Sequence, residues 1–366
     1  MKISFIIVNY NASEQIKELL ESIKESIKHC EGCIGPEVII VDNASHYDDY
    51  LKLKQLEKRY AKLEYPNINV RVFRLSRNYG YSGGVNIGVR LANGNIIIVS
   101  NPDIVLEKDF LANLAKIYTY MDRKLFRNSI IVPKILIGKS NKINSTGMTL
   151  HVAGYGILLN LNKKFDDPLC NEVKLVLAPH GALFIAYKKI LLELGPFDPY
   201  YFSFLEDLDL GLRAYAKGYC VIYIPTLVVR HYWGLTWGKG LSRIKYYYAE
   251  RNRLLSLLNN LPYKYILAFL PYILISEIIS QTYALLNRYL SMKIRIYADI
   301  IRSLAYIKRR RTTLISNNIS NYERYLSKCM TIEFIHVFFD KKYIYVVNKL
   351  YSLINKIVKI PSKTKI

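Results

Sequence analysis

The stretch EVIIVDNAS, residues 37–45, is a short run of Val and Ile that stops at an aspartate. The run is too short for a helix, rich in β-branched side chains and closed by a turn-forming Asp-Asn pair, so it reads as a buried strand with Asp42 at its end. Working outward, similar apolar runs at residues 3–9, 69–75 and 95–100 read as three more strands. Between them, residues 13–29 place Ile16, Leu19, Leu20, Ile23 and Ile27 on one helical face. Residues 51–62 form a second helix, and 85–91 a short third one after a glycine-rich segment. Strands alternating with helices imply an α/β fold, a mostly parallel sheet with helices on both faces. Ligands of such sheets bind beyond the carboxyl ends of the strands. Asp42, the glycine-rich segment and Asp103 each follow a strand end, so three polar groups converge on one rim.

Beyond this core the pattern is more mixed. A helix at 109–120 leads into irregular strands and loops up to residue 230, read as the second, acceptor-binding half. Helices follow at 203–218 and 246–259. Residues 266–286 are long and apolar, interrupted by Pro271, Glu277 and Gln281. There is no internal repeat. The 366 residues suffice for one large domain or two ordinary ones, and 51% hydrophobic residues exclude global disorder. The net charge of +23 is uneven: from residue 231 onward 23 Lys and Arg stand against 6 Asp and Glu, leaving only +6 for the first 230 residues. A basic, apolar C-terminal third points to an anionic surface. Its charges flank long apolar runs, which favours a membrane surface over nucleic acid, for which no recognised motif is present. Residues 266–286 have about the length of a bilayer span, on the order of 20 residues. Both flanks are basic, however, so a helix lying in the interface or a re-entrant pair is expected instead. The other reading is a soluble helical appendage packed on the rest of the chain, with residues 334–339 and 343–347 supplying further packing. The start, MKISFIIVNYN, lacks a small-residue cleavage site and reads as a first strand, so the N-terminal part is expected in the cytoplasm. Cys30 and Cys33 form a single CxxC without a second ligand pair at matching spacing, and read as ordinary cysteines.

Several residues have chemistry to offer. A carboxylate at a strand end, such as Asp42, can accept hydrogen bonds from a nucleobase or ribose; taken alone it reads first as a turn or capping residue. RNYGYSGGVNIG, residues 77–88, lets backbone approach a ligand closely. It lacks the Lys-Ser/Thr ending of a P-loop, and its glycine spacing and place after the third strand do not fit a dinucleotide fingerprint. In Asn101-Pro102-Asp103, Pro102 fixes the local backbone and Asp103 offers an oxygen suited to a hard divalent cation bridging two phosphates. In LEDLDLGLRAYAKGY, residues 205–219, Leu205, Leu208 and Leu212 form a buried stripe while Glu206, Asp207 and Asp209 crowd the first turn. Capping alone does not readily explain three carboxylates within four residues, and a general base fits there. His231, after an apolar run, reads as a structural histidine or a metal ligand.

The ordered series VNYN, VDNAS, RNYGYSGGVNIG, SNPD, GALFIAYKK, GPFDPYYFSFLEDLDLGLRAYAKGY, HYWG and RNRL resembles glycosyltransferase family 2, and is especially similar to its rhamnosyltransferase-like branch. The resemblance covers residues 1–258 and implies a GT-A fold, a Rossmann-like nucleotide-binding half (1–103) merged with an acceptor half (104–258). The helical, basic extension at 259–366 has no counterpart in it. By position, the resemblance implies that Tyr10 and Asp42 hold base and ribose. Arg77, Asn78, Gly80, Gly84 and Asn86 would line the donor pocket, and Gly181 and Ala182 would lie beneath the donor sugar. Asp103 would bind Mg²⁺ or Mn²⁺ on the diphosphate with His231 as second ligand, Asp207 would be the general base and Glu206 its partner in the acidic pair. Many relatives carry D-x-D at the metal site; here Asn101 replaces the first Asp with a neutral oxygen donor, which weakens the expected metal affinity. The function implied is inverting transfer of a sugar, rhamnose by branch similarity, from a nucleotide-sugar donor to a glycan or lipid-linked acceptor at the cytoplasmic face of a membrane, with peripheral contact through the basic C-terminal third. The alternative is a non-catalytic nucleotide-sugar or glycan-binding protein on the same fold.

Overall fold

The computed structural model describes residues 1–32, 35–62, 68–120, 123–232, 242–315, 330–331, 345 and 348–352. Residues 334–339, most of 343–347 and Cys33 lie outside the described residues. Cys30 is disulfide-bonded, so it is not the ordinary thiol its spacing suggested.

The first half alternates as its periodicity predicts: β1 Ile3–Asn9, α1 Ser13–Lys28, β2 Glu37–Asp42, α2 Tyr47–Tyr60, β3 Asn69–Arg74, α3 Gly80–Leu91 and β4 Ile96–Ser100. Then come β5 Ile104–Leu106, α4 Phe110–Tyr120, α5 Arg123–Arg127, β6 Ser129–Ile137, β7 Ile143–Ser145, β8 Met148–His151, β9 Gly156–Leu158, β10 Lys174–Leu175, β11 Leu183–Tyr187, α6 Lys188–Leu194, α7 Glu206–Ala216 and β12 Cys220–His231. The C-terminal part is helical: α8 Arg243–Asn260, α9 Tyr263–Ala268, α10 Leu270–Leu286, α11 Leu290–Arg302 and α12 Leu304–Ile315, with the short β13 Met330–Thr331. The boundary expected at residue 258 falls in the last turn of α8.

The main sheet runs β10-β12-β6-β11-β4-β1-β2-β3, with β5 and β7 added at β12 and β6. The strands β3, β2, β1 and β4 are mutually parallel; β11 is antiparallel to both β4 and β6, and β6 is parallel to β12. The irregular second half therefore extends the sheet of the first half, and adds a separate three-stranded sheet in the order β13-β8-β9. Two apolar layers, one on each face, bury strand residues such as Phe5, Ile7 and Ile98 on one side and Ile6, Val8 and Val99 on the other, as expected for a sheet covered on both faces.

The glycine-rich segment differs from its sequence reading. It is helix from Gly80 onward, not a turn followed by a short helix. A Cβ at Gly84 would sit 2.7 Å from Val8 Cγ1, and one at Gly88 would collide with the Ile6 side chain. These two glycines let α3 lie close on β1, so Gly84 faces the sheet and not a ligand. Gly80 is different: its φ of 73° is left-handed, and a Cβ there would strike Phe202.

The apolar run at 266–286 is split at Phe269, with Pro271 in the first turn of α10, where its missing N–H costs nothing. Tyr272, Ser276, Ser280 and Ala284 form the buried stripe of α10. Glu277, which looked like an interruption, pairs with Arg253 of α8 and with Lys293 of α11 (3.1 Å); Glu250 joins both cations at 3.1 and 2.8 Å. Two anions, Glu250 buried and Glu277 part-buried, thus balance two buried cations and tie α10 and α11 to α8, which a lone buried charge could not do. The helices are packed on the rest of the chain, as the appendage reading expected, yet the opposite face of α10 leaves Leu270, Leu274 and Ile278 in solvent.

Candidate active site

The sheet register decides which residues meet. Asn9 pairs with Asp42, Asp42 with Arg74, and Ser100 with both Ile7 and Leu183. The carboxyl ends of β1, β2, β3 and β4 therefore share one rim with the start of β11, and β12 brings His231 to it beside Ile104. Nine residues before its helix α7 begins, the chain turns at Phe197, whose backbone is clipped at both N–H and C=O by the Asn86 amide (2.8 and 2.7 Å). Asn86 therefore holds α3 against that turn.

At the end of β2, Asp42 is fully buried, and Asn9 Nδ2 donates to its Oδ1 at 2.9 Å. The same amide reaches Ser45 Oγ and Asp49 Oδ2 at 2.8 and 2.7 Å, so Asn9 fixes the VDNAS turn from the neighbouring strand. Arg74 lies 3.8 Å from Asp42 Oδ2 and packs over the rings of Tyr50 and Tyr47. Asp42 Oδ2 itself has no hydrogen-bond partner. Tyr10, 45% exposed, stands at the same strand end. Asn78 Oδ1 accepts from Asn43 Nδ2 (2.9 Å) and Gly80 N (2.8 Å), so it shapes the entry to α3, and Arg77 is exposed over the Tyr79 ring. Asn9, Arg74 and Asn43 were not singled out from sequence; the VNYN motif held the only signal for Asn9.

At the centre, Asp103 is buried with its Oδ1 3.3 Å from His231 Nε2 and without a hydrogen-bond donor. His231 Nδ1 lies 3.0 Å from Asn144 Oδ1. An amide oxygen only accepts, so Nδ1 is the donor in that bond and Nε2 is the ring nitrogen that faces Asp103. Asn144, on β7, carries no sequence signal. Asn101 donates its backbone N–H to Ala182 O at 2.8 Å, which seats the SNPD turn on the start of β11.

Across from Asp103, Gly181 N donates to Asp207 Oδ2 at 2.7 Å, and Leu208 N to Asp207 Oδ1 at 2.8 Å. A Cβ at Gly181 would come 3.0 Å from that carboxylate, so the glycine makes room for it. Burial pushes the Asp207 carboxyl up to about 6, although the backbone donors of Gly181 and Leu208 oppose the rise. Glu206, buried beside it, is pushed well above the carboxylate range by burial and by the Asp207 charge, and its Oε2 has no partner. Asp209 goes the other way: burial opposes its charge, but Arg310 and Arg213 outweigh it and hold the group below its ordinary value.

The two sides are contiguous. The Tyr81 hydroxyl donates to Gly181 O at 2.7 Å, and its proton is held by burial and by the charges of Glu206, Asp207 and Asp103. His180, next to Gly181, stacks edge-on against His231 with ring centroids 5.8 Å apart. Burial and then His231 push the His180 imidazole down to about 3, and its Nδ1 is sealed without a partner. Sequence reasoning missed His180 and Tyr81, which carry no chemistry until the sheet brings Gly181 between the two acids. Among the described residues no group of three or more His, Cys, Asp and Glu side chains can hold a metal by itself. Asp103 and His231 offer two ligands, which suits a divalent ion completed by substrate phosphates.

A family model described as glycosyl transferase family 2 matches residues 4–136, and one described as glycosyl transferase family group 2 matches residues 97–309. The rhamnosyltransferase WbbL of Escherichia coli is 27% identical over 237 residues, 62% of this chain and 82% of its own length. Among solved structures, GalNAc-T7 with UDP, GalNAc and Mn²⁺ has a TM-score of 0.57 at 19% identity, over 86% of this chain and 58% of that one. The mannosyltransferase PcManGT of Pyrobaculum calidifontis, with GDP-Man and Mn²⁺, has a TM-score of 0.50 at 15% identity, over 97% and 88%. At these identities the structural likeness establishes the fold, a GT-A sheet with flanking helices.

Proposed function

Because the chain belongs to glycosyl transferase family 2, we propose that it is an inverting glycosyltransferase, moving a sugar from a nucleoside-diphosphate donor to a hydroxyl of a glycan or lipid-linked acceptor. The observation that carries this reading is the set of buried polar atoms without hydrogen-bond partners along one rim: Asp42 Oδ2, Asp103 Oδ1, His180 Nδ1 and Glu206 Oε2. Leaving such atoms unsatisfied costs on the order of 1–3 kcal/mol each, a cost that a polar ligand lying along the rim removes.

In this reading Asp42 and Tyr10 hold the ribose and base, with Arg74 beside them. Gly181 and Ala182 underlie the donor sugar. Asp103 and the Nε2 of His231 hold Mg²⁺ or Mn²⁺, and when bound the ion stabilises charge on the departing diphosphate. Asp207 takes the proton of the acceptor hydroxyl; the hydroxyl oxygen forms a bond to the anomeric carbon as the bond to the diphosphate breaks on the opposite face, inverting that centre. Glu206, held protonated, does not compete for the proton and serves as a hydrogen-bond donor. The family likeness to WbbL makes rhamnose the first donor sugar to test. A thermal-shift panel of dTDP-, UDP- and GDP-sugars, each with and without Mn²⁺, is expected to give one nucleotide class a clear rise in Tm that requires the ion. No rise with any donor would overturn the reading.

We place the enzyme at the cytoplasmic face of a membrane, as a peripheral protein. Among the described residues no helix is long and apolar enough to cross a bilayer. What supports contact is the solvent-facing side of the C-terminal helices: Leu274, Ile278, Ile294 and Ile301 are exposed among Arg295, Arg302 and Lys308, while the acidic Glu277 and Asp299 are taken up in ion pairs. Apolar side chains among cations that outnumber the one local aspartate, Asp299, which Arg295 and Arg302 share, complement an anionic headgroup surface. Flotation should carry the full chain up with anionic vesicles at low salt and leave it down with neutral ones; a protein that stays at the bottom with both refutes the contact.

A further inference from the structure

The RNRL motif at residues 251–254 has no part in the chemistry above, and the C-terminal helices lie behind the acid pair instead of in the cleft. Their contacts with the chain just before Asp207 are nevertheless dense. Phe202, Phe204 and Leu205 all have left-handed φ, at 62°, 73° and 64°, and none is glycine. Such a run is held only where surrounding structure overrides the local preference. Leu205 is the N-cap of α7, so its backbone sets the direction of the turn that carries Glu206 and Asp207.

Side chains of α8 and α12 hold it, Asn252 and Arg310 foremost, with Arg251 donating to the Tyr200 and Tyr201 carbonyls. Asn252, fully buried in α8, donates its Nδ2 to the carbonyls of Tyr201, Ser203 and Phe204 at 2.9, 2.7 and 2.7 Å. These are the carbonyls that the left-handed residues turn away from regular pairing. Arg310, on α12, pairs bidentately with Asp209 at 2.7 and 2.8 Å and also with Asp198, while Tyr306 donates to Asp198 and stacks on Tyr200 at 4.4 Å. The segment 198–209 is thus fixed before the strained turn, within it and just after it. From the other side, Ser82 N donates to Phe202 O at 3.1 Å and Phe202 stacks on Tyr248 at 4.9 Å.

We propose that Asn252 and Arg310 are positioning residues for the general base: they hold the strained turn at 202–205 so that Asp207 is aimed at Gly181 N and the acceptor hydroxyl, which makes the C-terminal helices part of the catalytic unit. The proposal rests on the reading of Asp207 as the base. If the turn relaxes to ordinary backbone, the first turn of α7 rotates and the 2.7 Å bond from Gly181 is lost, while Asp42 and the nucleotide end, on other elements, are untouched.

The test measures transfer kinetics, nucleoside-diphosphate affinity and Tm for the full chain carrying Arg310→Gln, Arg310→Lys or Asn252→Asp. R310Q is expected to lose roughly 10- to 100-fold in kcat with nucleoside-diphosphate Kd within about twofold of wild type, the size of effect seen when a supporting partner of a site residue is removed. R310K should recover part of the loss. The acid limb of kcat should move to higher pH in R310Q, since Asp207 loses a donor that favours its charged form; a merely structural role would not move it. N252D, which sets an acceptor against three carbonyls, should lose more. A folded R310Q with wild-type kcat, or one in which kcat and nucleotide affinity fall together, overturns the proposal. Asp207→Asn run alongside separates the two ideas: a D207N enzyme that keeps its turnover removes the base reading beneath the proposal, whereas an inactive D207N beside an unaffected R310Q removes the proposal alone.

Discussion

Asp207→Asn is expected to lower kcat by about 10²–10⁴-fold while nucleotide-sugar affinity stays near wild type. The loss is that of the proton acceptor, since the amide keeps the shape of the carboxylate and one oxygen for the Gly181 N–H, 2.7 Å away in the native chain. The wild-type pH profile carries a second signature. With the carboxyl pushed up to about 6, kcat should fall about tenfold per unit below that value as Asp207 takes up its proton. The stability consequence has a definite sign. A carboxyl whose folded value lies above its unfolded one favours the folded state at low pH, and that contribution is lost as pH rises from the unfolded value through about 6. At neutral pH the ionised Asp207 is therefore a cost on the order of 3 kcal/mol, by the usual 1.4 kcal/mol per unit. D207N cannot ionise, so its Tm at pH 7.5 should be no lower than wild type. An inactive variant with a much lower Tm would point to a structural role instead, and an active one would remove the base from the mechanism.

The second large effect is at the other wall. Asp103→Asn is expected to cost about 10²–10³-fold in kcat/KM with Mn²⁺ present, the equivalent of several kcal/mol of charge stabilisation on the leaving group. Asp103 Oδ1 has no hydrogen-bond donor and faces the Nε2 of His231 at 3.3 Å, so the pair loses its only anionic member. Because Asn101 is neutral, D103N leaves the SNPD turn without a carboxylate. Calorimetric titration of Mn²⁺ into enzyme with nucleoside diphosphate should then show the ion bound far more weakly than by wild type. Unchanged Mn²⁺ affinity would exclude Asp103 as its ligand. Asn144→Ala offers a milder comparison, since it removes only the hydrogen bond that orients His231.

Most of the frame is visible in local pattern. The runs at 3–9, 37–42 and 96–100 are fully buried strands in the structure, and their periodicity and length distinguish them from the helices between. The carboxylates at 42 and 103 stand at strand ends in both readings, because a strand end is a local feature of the chain. The glycines at 84 and 88 show where pattern stops: a glycine leaves the same mark in a sequence whether it admits a ligand or a neighbouring strand, and here the neighbour is β1. Asn86 and Asn78 looked like donor-pocket groups for a similar reason. A polar side chain near a glycine-rich segment does not reveal which protein groups it will meet: Asn86 bonds the Phe197 backbone, and Asn78 Oδ1 accepts from Asn43 and Gly80. His180 and Asn144 left no trace at all, and Asn252 only its place in the RNRL motif, since each acts on a residue far away in the chain.

By itself the sequence determined the α/β class, the strand ends that carry Asp42 and Asp103, the acidic turn at 206–209 and the basic, apolar character of the last third. Only the tertiary structure decided that Asp103 faces His231, that Gly181 holds Asp207, that α3 is packed by its glycines and that Glu277 is an internal ion pair. The division has one physical cause. Strand and helix propensity is set by neighbours along the chain, whereas a site built at the rim of a sheet depends on strand order and register, which arise from burying both faces at once and leave no periodic mark in the residues they bring together.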